Sequence, residues 1–173
     1  MSEAALADAA VFYLSRYASS SGNLRQVLLR KLNRSARHYG DDPAPLLEII
    51  DRLVALHVAS GAVNDGNFAE TQMRKLRRRG GSGRAIAQRL AAKGVPAEII
   101  AETGAAGDPL ADLRAAIHLA RRRHLGPFRA EGRADNRQRD MAILGRAGFD
   151  YATAAMVVDA ADDEALDDLL IAE

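Results

Sequence analysis

FAETQMRKLRRRGGSGRAIAQRLAAKGVPAEIIAET, residues 68–103, decides the fold. Its apolar residues recur at three- and four-residue spacing, the period of a helix that buries one face. Gly80, Gly81 and Gly83 interrupt the pattern, and Gly94 and Pro96 interrupt it again. Three helices follow: Phe68 to Arg79, Arg84 to Lys93, and a short one from Pro96 to Thr103. Asp65 and Ser82 are the expected N-caps of the first two. Phe68, Met73, Leu76, Ile86, Leu90, Val95, Ile99 and Ile100 are its expected core.

The same order recurs on both sides. Toward the C-terminus, Leu110 to Val158 holds a helix ended by Gly126–Pro127, and LGRAGFD (144–150) repeats the spacing of LAAKGVP (90–96). Toward the N-terminus, Glu48-Ile49-Ile50 repeats Glu98-Ile99-Ile100. Leu28 to Glu48 is 20 residues, however, against 8 from Leu90 to Glu98, so the first copy carries a 12-residue excess within LNRSARHYGDDPAP, either a surface loop or an extended second helix. The expectation is an all-α chain of three tandem three-helix, helix-turn-helix-like repeats: 1–63, 64–107 and 108–160, with an acidic extension over 161–173.

Composition agrees. The 173 residues are 48% hydrophobic but only 5% aromatic, without Trp, so an aliphatic core on helices is favoured over sheet. Absence of Cys excludes disulfides, thiolate metal sites and cysteine nucleophiles. MSEAALADAA carries acids where a signal peptide needs positive charge, and no apolar run approaches about 18 residues, so a cytoplasmic protein without a membrane partner is expected. The net charge of +1 conceals a strong asymmetry. Arg16 to Lys93 holds 15 bases against 6 acids, Arg114 to Phe149 holds 9 against 3, and the last 24 residues hold 8 acids and no base. A basic body with an acidic end fits a polyanionic partner.

No catalytic constellation and no cofactor site are read from the chain. His38, His57, His118 and His124 lack the i, i+4 spacing of a helix-borne zinc site. The glycines at 80, 81 and 83 lack the spacing and preceding strand of a phosphate loop. RKLRRR (74–79) stands out instead. With Ala69, Met73 and Leu76 turned to the core, Arg74, Arg77 and Arg78 are expected together on the outer side. Arg121, Arg122 and Arg123 repeat the arrangement before Gly126. Cations in a last helical turn favour the macrodipole by about 0.3–1 kcal/mol each, which accounts for one or two of them but not for five bases in six. Aromatics are few and mostly at core-type positions, so base stacking is not expected.

NLRQVLLRK (23–31), EIIDRL (48–53), GAVNDGNFAETQMRKLRRRG (61–80) and IAQRLAAKGVPAEII (86–100) together resemble the RecX family, regulatory proteins of the RecA recombinase. Gly61-x-Val63-x-Asp65-x-x-Phe68-Ala69 and Leu90-x-x-Lys93-Gly94-Val95 carry the resemblance most specifically. It is good over 10–104 and looser over 110–158. It implies a bent, elongated array that binds along the groove of a RecA–DNA filament as a monomer, limiting filament extension and lowering RecA's ATPase, strand-exchange and coprotease activities. The residues expected toward the filament are Arg74, Arg77, Arg78, Arg79, Arg84, Arg121, Arg122 and Arg123, with DNA contacted weakly through phosphates. The alternative is a helical-repeat protein that binds DNA directly, independently of RecA. For the acidic end, an electrostatic competitor folding back on the third copy is favoured over a helix packed through Leu166, Leu169 and Leu170.

Overall fold

The computed structural model describes residues 1–105 and 107–171, and among these it contains ten α-helices and no strand. The first copy is α1 (Glu3–Leu14), α2 (Ser21–Tyr39) and α3 (Leu47–Ala59). The second is α4 (Asp65–Arg77), α5 (Gly83–Ala92) and α6 (Ala97–Glu102), and the third α7 (Pro109–Arg123), α8 (Arg133–Arg146) and α9 (Tyr151–Asp159). A last helix, α10 (Asp163–Ile171), follows. The 12-residue excess is absorbed mainly by helix: α2 has 19 residues against 10 in α5, and ends at Gly40, which adopts φ +73°.

Residue contacts divide the chain into two compact units: Met1–Glu70 with Leu90–Ile100, and Thr71–Arg89 with the described residues from Ala101 onward. In the first, α2 packs on α1 and α3 around Leu6, Leu24, Leu28, Leu32, Ile50 and Val63, all essentially inaccessible. In the second, α9 packs on α7 and α8 around Ala116, Ile117, Leu125, Leu144 and Val157. Of the core expected for the second copy, Ile86, Leu90 and Val95 are buried, and Phe68, Met73, Leu76, Ile99 and Ile100 are half-buried.

Each unit contains one joint between successive copies, and the two joints use the same parts. Ser20 accepts from the Asn23 N–H at 3.1 Å as N-cap of α2 and donates its hydroxyl to the Lys93 carbonyl. Ser82 accepts from the Ala85 N–H at 3.2 Å as N-cap of α5, as its sequence position predicts, and donates to the Ala147 carbonyl at 2.8 Å. The next N–H in each case goes to an aspartate in the first turn of the following copy: Ser21 N–H to Asp65 and Gly83 N–H to Asp112, both at 2.8 Å. Asp65 is therefore not the N-cap of α4. Asn64 takes that place, accepting from the Asn67 N–H at 2.9 Å, which leaves the Asp65 carboxylate for the joint. Glycine is required where the backbones meet. A Cβ on Gly94, at φ +69°, would stand 2.8 Å from the Gly22 Cα.

The acidic end departs from expectation. α10 packs on α7, Leu166 is fully buried in the same cluster as Ile117 and Val157, Leu170 is half-buried and Leu169 exposed. Apolar burial holds the segment, because Leu166 joins the core cluster that α7 and α9 build. Among the described residues, its ion pair to the third copy is Arg121–Asp163 at 2.5 Å. The aromatics also depart: Phe12, Tyr17, Tyr39 and Tyr151 are exposed rather than in the core.

Candidate nucleic-acid interface

The expected outer face of α4 is only partly outward. Arg77 lies four residues beyond Met73 and eight beyond Ala69, on the edge of the apolar stripe itself, and it turns inward. Its guanidinium pairs with Asp112 and donates to the Gly81 carbonyl at 3.2 Å and the Ala105 carbonyl at 2.6 Å. Its side chain is 17% exposed and that of Asp112 22%. Arg77 is thus a tie across the second joint: it borders one groove with Arg74 and Arg78, but the expectation that its charge faces outward with theirs is corrected, because its guanidinium is committed to Asp112.

Other arginines are likewise committed to acids. Arg121 pairs with Asp163 and lies 5.3 Å from the Phe128 ring centroid. Arg129 forms a two-pronged pair with Asp140 at 3.0 and 2.6 Å. Asp140 is completely buried and also accepts from the Gly126 N–H at 2.9 Å. Burial pushes its carboxyl up, but the Arg129 guanidinium and the Gly126 N–H outweigh this and hold it below the usual carboxylate range. Asp159 is lowered chiefly by hydrogen bonding to Arg137, and Asp51 by Arg25.

What these pairs leave over is concentrated in one place. A cleft of about 410 Å³ in the second unit has a floor of Leu76, Gly80, Ile86 and Leu119, and its walls carry Arg79, Arg89, Arg122, Arg123 and Arg146. All five are exposed, none is ion-paired among the described residues, and no acid lines the cleft. Three helix ends supply four of them: Arg79 follows α4, Arg122 and Arg123 close α7, and Arg146 closes α8. The partial negative charge of those ends offsets some of the repulsion between guanidiniums that share one opening. An arrangement of this kind attracts an oxyanion, and planar guanidiniums suit phosphate oxygens in particular.

Of the residues singled out in the sequence, Arg79, Arg122 and Arg123 are brought together. Arg74 and Arg78 line a separate groove with Thr71, Met73 and the ion-paired Arg77, Arg84 is exposed and lines neither, and Arg121 is held in its own ion pair. Arg89 and Arg146 were missed because each is a single arginine outside a run. The available signal was their common place near the C-terminus of the second helix in its copy.

The fold puts the chain among all-α helical-repeat proteins. Residues 64–103 match the family model described as RecX, second three-helix domain. Regulatory protein RecX of Myxococcus xanthus (strain DK1622) is 42% identical over 157 residues, covering 89% of this chain and 84% of that one. Regulatory protein RecX of Agrobacterium fabrum (strain C58 / ATCC 33970) is 29% identical over 161 residues, covering 92% and 85%. The crystal structure of RecX from Lactobacillus salivarius superimposes with a TM-score of 0.67 at 16% identity, over 92% of this chain and 96% of that chain. The chain belongs to the RecX family of regulatory proteins.

Proposed function

We propose that the protein binds the RecA–DNA filament and lowers RecA's filament extension, ATPase, strand-exchange and coprotease activities, acting as a cytoplasmic monomer without chemistry of its own. Membership in a family of regulatory proteins supports the role. The observation that carries the contact is the cleft with five unpaired arginines. The filament-facing set becomes Arg79, Arg89, Arg122, Arg123 and Arg146, with Arg74, Arg78 and Arg84 as outlying contacts. Arg77 and Arg121 act through the fold. No helix among the described residues is long and apolar enough to cross a membrane.

The test is RecA's ATPase on single-stranded DNA with the parent protein and with Arg122→Glu/Arg146→Glu. The parent should inhibit, and the variant, folded by circular dichroism, should need at least tenfold more protein for the same effect, as reversal of a charged contact pair implies. Full inhibition by the variant at matched concentration refutes the cleft as the contact. No inhibition by the parent refutes the regulatory reading itself.

A further inference from the structure

The lengthened helix α2 creates a second charged surface, in the first unit, that the RecA reading does not use. Leu24, Leu28 and Leu32 face the core. The flank beside this buried stripe lines a groove with Arg30, Lys31, Arg34, His38 and Tyr39, and no acid lines that stretch. Arg30, Arg34 and His38 are spaced i, i+4, i+8 and form one row. None of them, nor Lys31, is ion-paired among the described residues. At Val27 and Lys31 this groove runs into a second one against α1, lined by Phe12 and Tyr13, where Asp8 is the acid present.

Exposed aromatic rings stand along this path. Tyr39 is 72% exposed and Phe12 60%, so both rings are open to a planar partner. Tyr39 stands edge-on to His38, with ring centroids 4.6 Å apart, and the Arg16 guanidinium lies 4.2 Å from the Phe12 ring centroid. A row of cations bordered by exposed rings is the combination that holds a single strand: phosphates meet the cations while bases stack on the rings. A duplex hides its base faces, and an acidic protein surface gives the rings nothing planar to stack on.

We infer that the α1–α2 groove, with Arg30, Lys31, Arg34 and His38 on the phosphates and Phe12 and Tyr39 on the bases, binds single-stranded nucleic acid. This site is distinct from the arginine cleft and stands whether or not RecA is the partner.

The experiment uses the full chain without RecA. Fluorescence anisotropy measures binding of a labelled oligo(dT) of about 16 nucleotides, at the upper end of ordinary single-strand site sizes, and of an abasic strand of equal length. The parent should bind oligo(dT) more tightly than the abasic strand. Tyr39→Ala and Phe12→Ala should each cost about 5- to 150-fold on oligo(dT) and little on the abasic strand, the range of one base–ring stack. Arg30→Ala/Arg34→Ala should weaken both probes and reduce the slope of log affinity against log salt by about 1.4, two phosphates' worth. Arg122→Glu/Arg146→Glu should leave the preference for bases intact. Equal binding of both strands by the parent overturns the inference, as does an unchanged affinity in the Tyr39 and Phe12 variants. Displacement of oligo(dT) by polyglutamate at equal charge, without an effect of the aromatic variants, overturns it in favour of an acidic protein partner.

Discussion

Replacing Arg77 by Ala should unfold the second unit far more readily than replacing Arg78, although the two are adjacent in a run of three arginines. Without its guanidinium, Asp112 keeps the Gly83 N–H among the described residues, and the Gly81 and Ala105 carbonyls lose their side-chain donor. Removing one member of a fully buried ion pair costs about 3–5 kcal/mol, and one hydrogen bond to a charged group is worth about 1.5–3 kcal/mol. With side chains 17% and 22% exposed, water recovers part of the larger figure, and the expected loss is about 2–3 kcal/mol. Arg78 is exposed, and its replacement should stay within about 0.5 kcal/mol of the parent. Urea unfolding followed by circular dichroism reads both, and a midpoint shift of roughly 1 M corresponds to the larger loss at ordinary urea sensitivity. Asp112→Ala and the double variant complete a cycle with a coupling of about 1–3 kcal/mol. If Arg77→Ala unfolds within about 0.5 kcal/mol of the parent, or the two losses simply add, the tie across the joint is wrong.

Two further outcomes follow from the geometry. Gly22→Ala lies inside α2, where helix propensity alone predicts a gain of about 1 kcal/mol, but its Cβ would overlap the Gly94 backbone, so a net loss of about 1–3 kcal/mol is expected. Gly145→Ala in α8 meets nothing within 4 Å and should show the gain instead, both read by thermal melting. The second outcome concerns acid. Because Asp140, Asp51 and Asp159 titrate below their unfolded values, they stabilise the fold above the ordinary carboxylate pKa of about 4, and the contribution is lost as pH falls through their lowered values. Asp140→Asn should lower the urea midpoint at neutral pH and flatten its fall as pH drops below the ordinary carboxylate pKa of about 4; an acid limb as steep as the parent's would remove Asp140 from the account.

Helical period and glycine punctuation are local properties, and the three-copy, all-α organisation was legible from them. So was Ser82 as a cap, since capping needs only the next three residues. What escaped depends on partners distant in sequence. Arg77 turns inward because of Asp112, 35 residues on, and no periodicity within α4 distinguishes a core-edge arginine that finds an acid from one that does not. Asn64 and Asp65 are both good caps, and the choice was made by Ser21, which draws the Asp65 carboxylate away. Leu166 could be read as the apolar face of a helix, but not the cluster with Ile117 and Val157 that it joins. In the site, runs of arginine drew attention where isolated Arg89 and Arg146 complete the cleft. Aromatic scarcity suggested core positions, yet Phe12 and Tyr39 lie on the surface.

The divided fate of the arginines follows from how the copies are joined. Each helix that opens a new segment carries a first-turn aspartate: Asp65 in α4, Asp112 in α7 and Asp163 in α10. Asp65 and Asp112 accept the leading N–H of the preceding copy's second helix. Asp112 and Asp163 take the last-turn arginine of the preceding copy's first helix, Arg77 and Arg121. α10 therefore gives the third copy the same ion pair that α7 gives the second, while Leu166 supplies the burial. The exposed acids of α10 give its outer face a polar surface. In both copies the aspartate consumes one arginine of the run, and the neighbouring ones, Arg79 in one and Arg122 and Arg123 in the other, remain unpaired at the cleft. Acidic residues at the joints thus decide which arginines serve the fold and which are left for an anion.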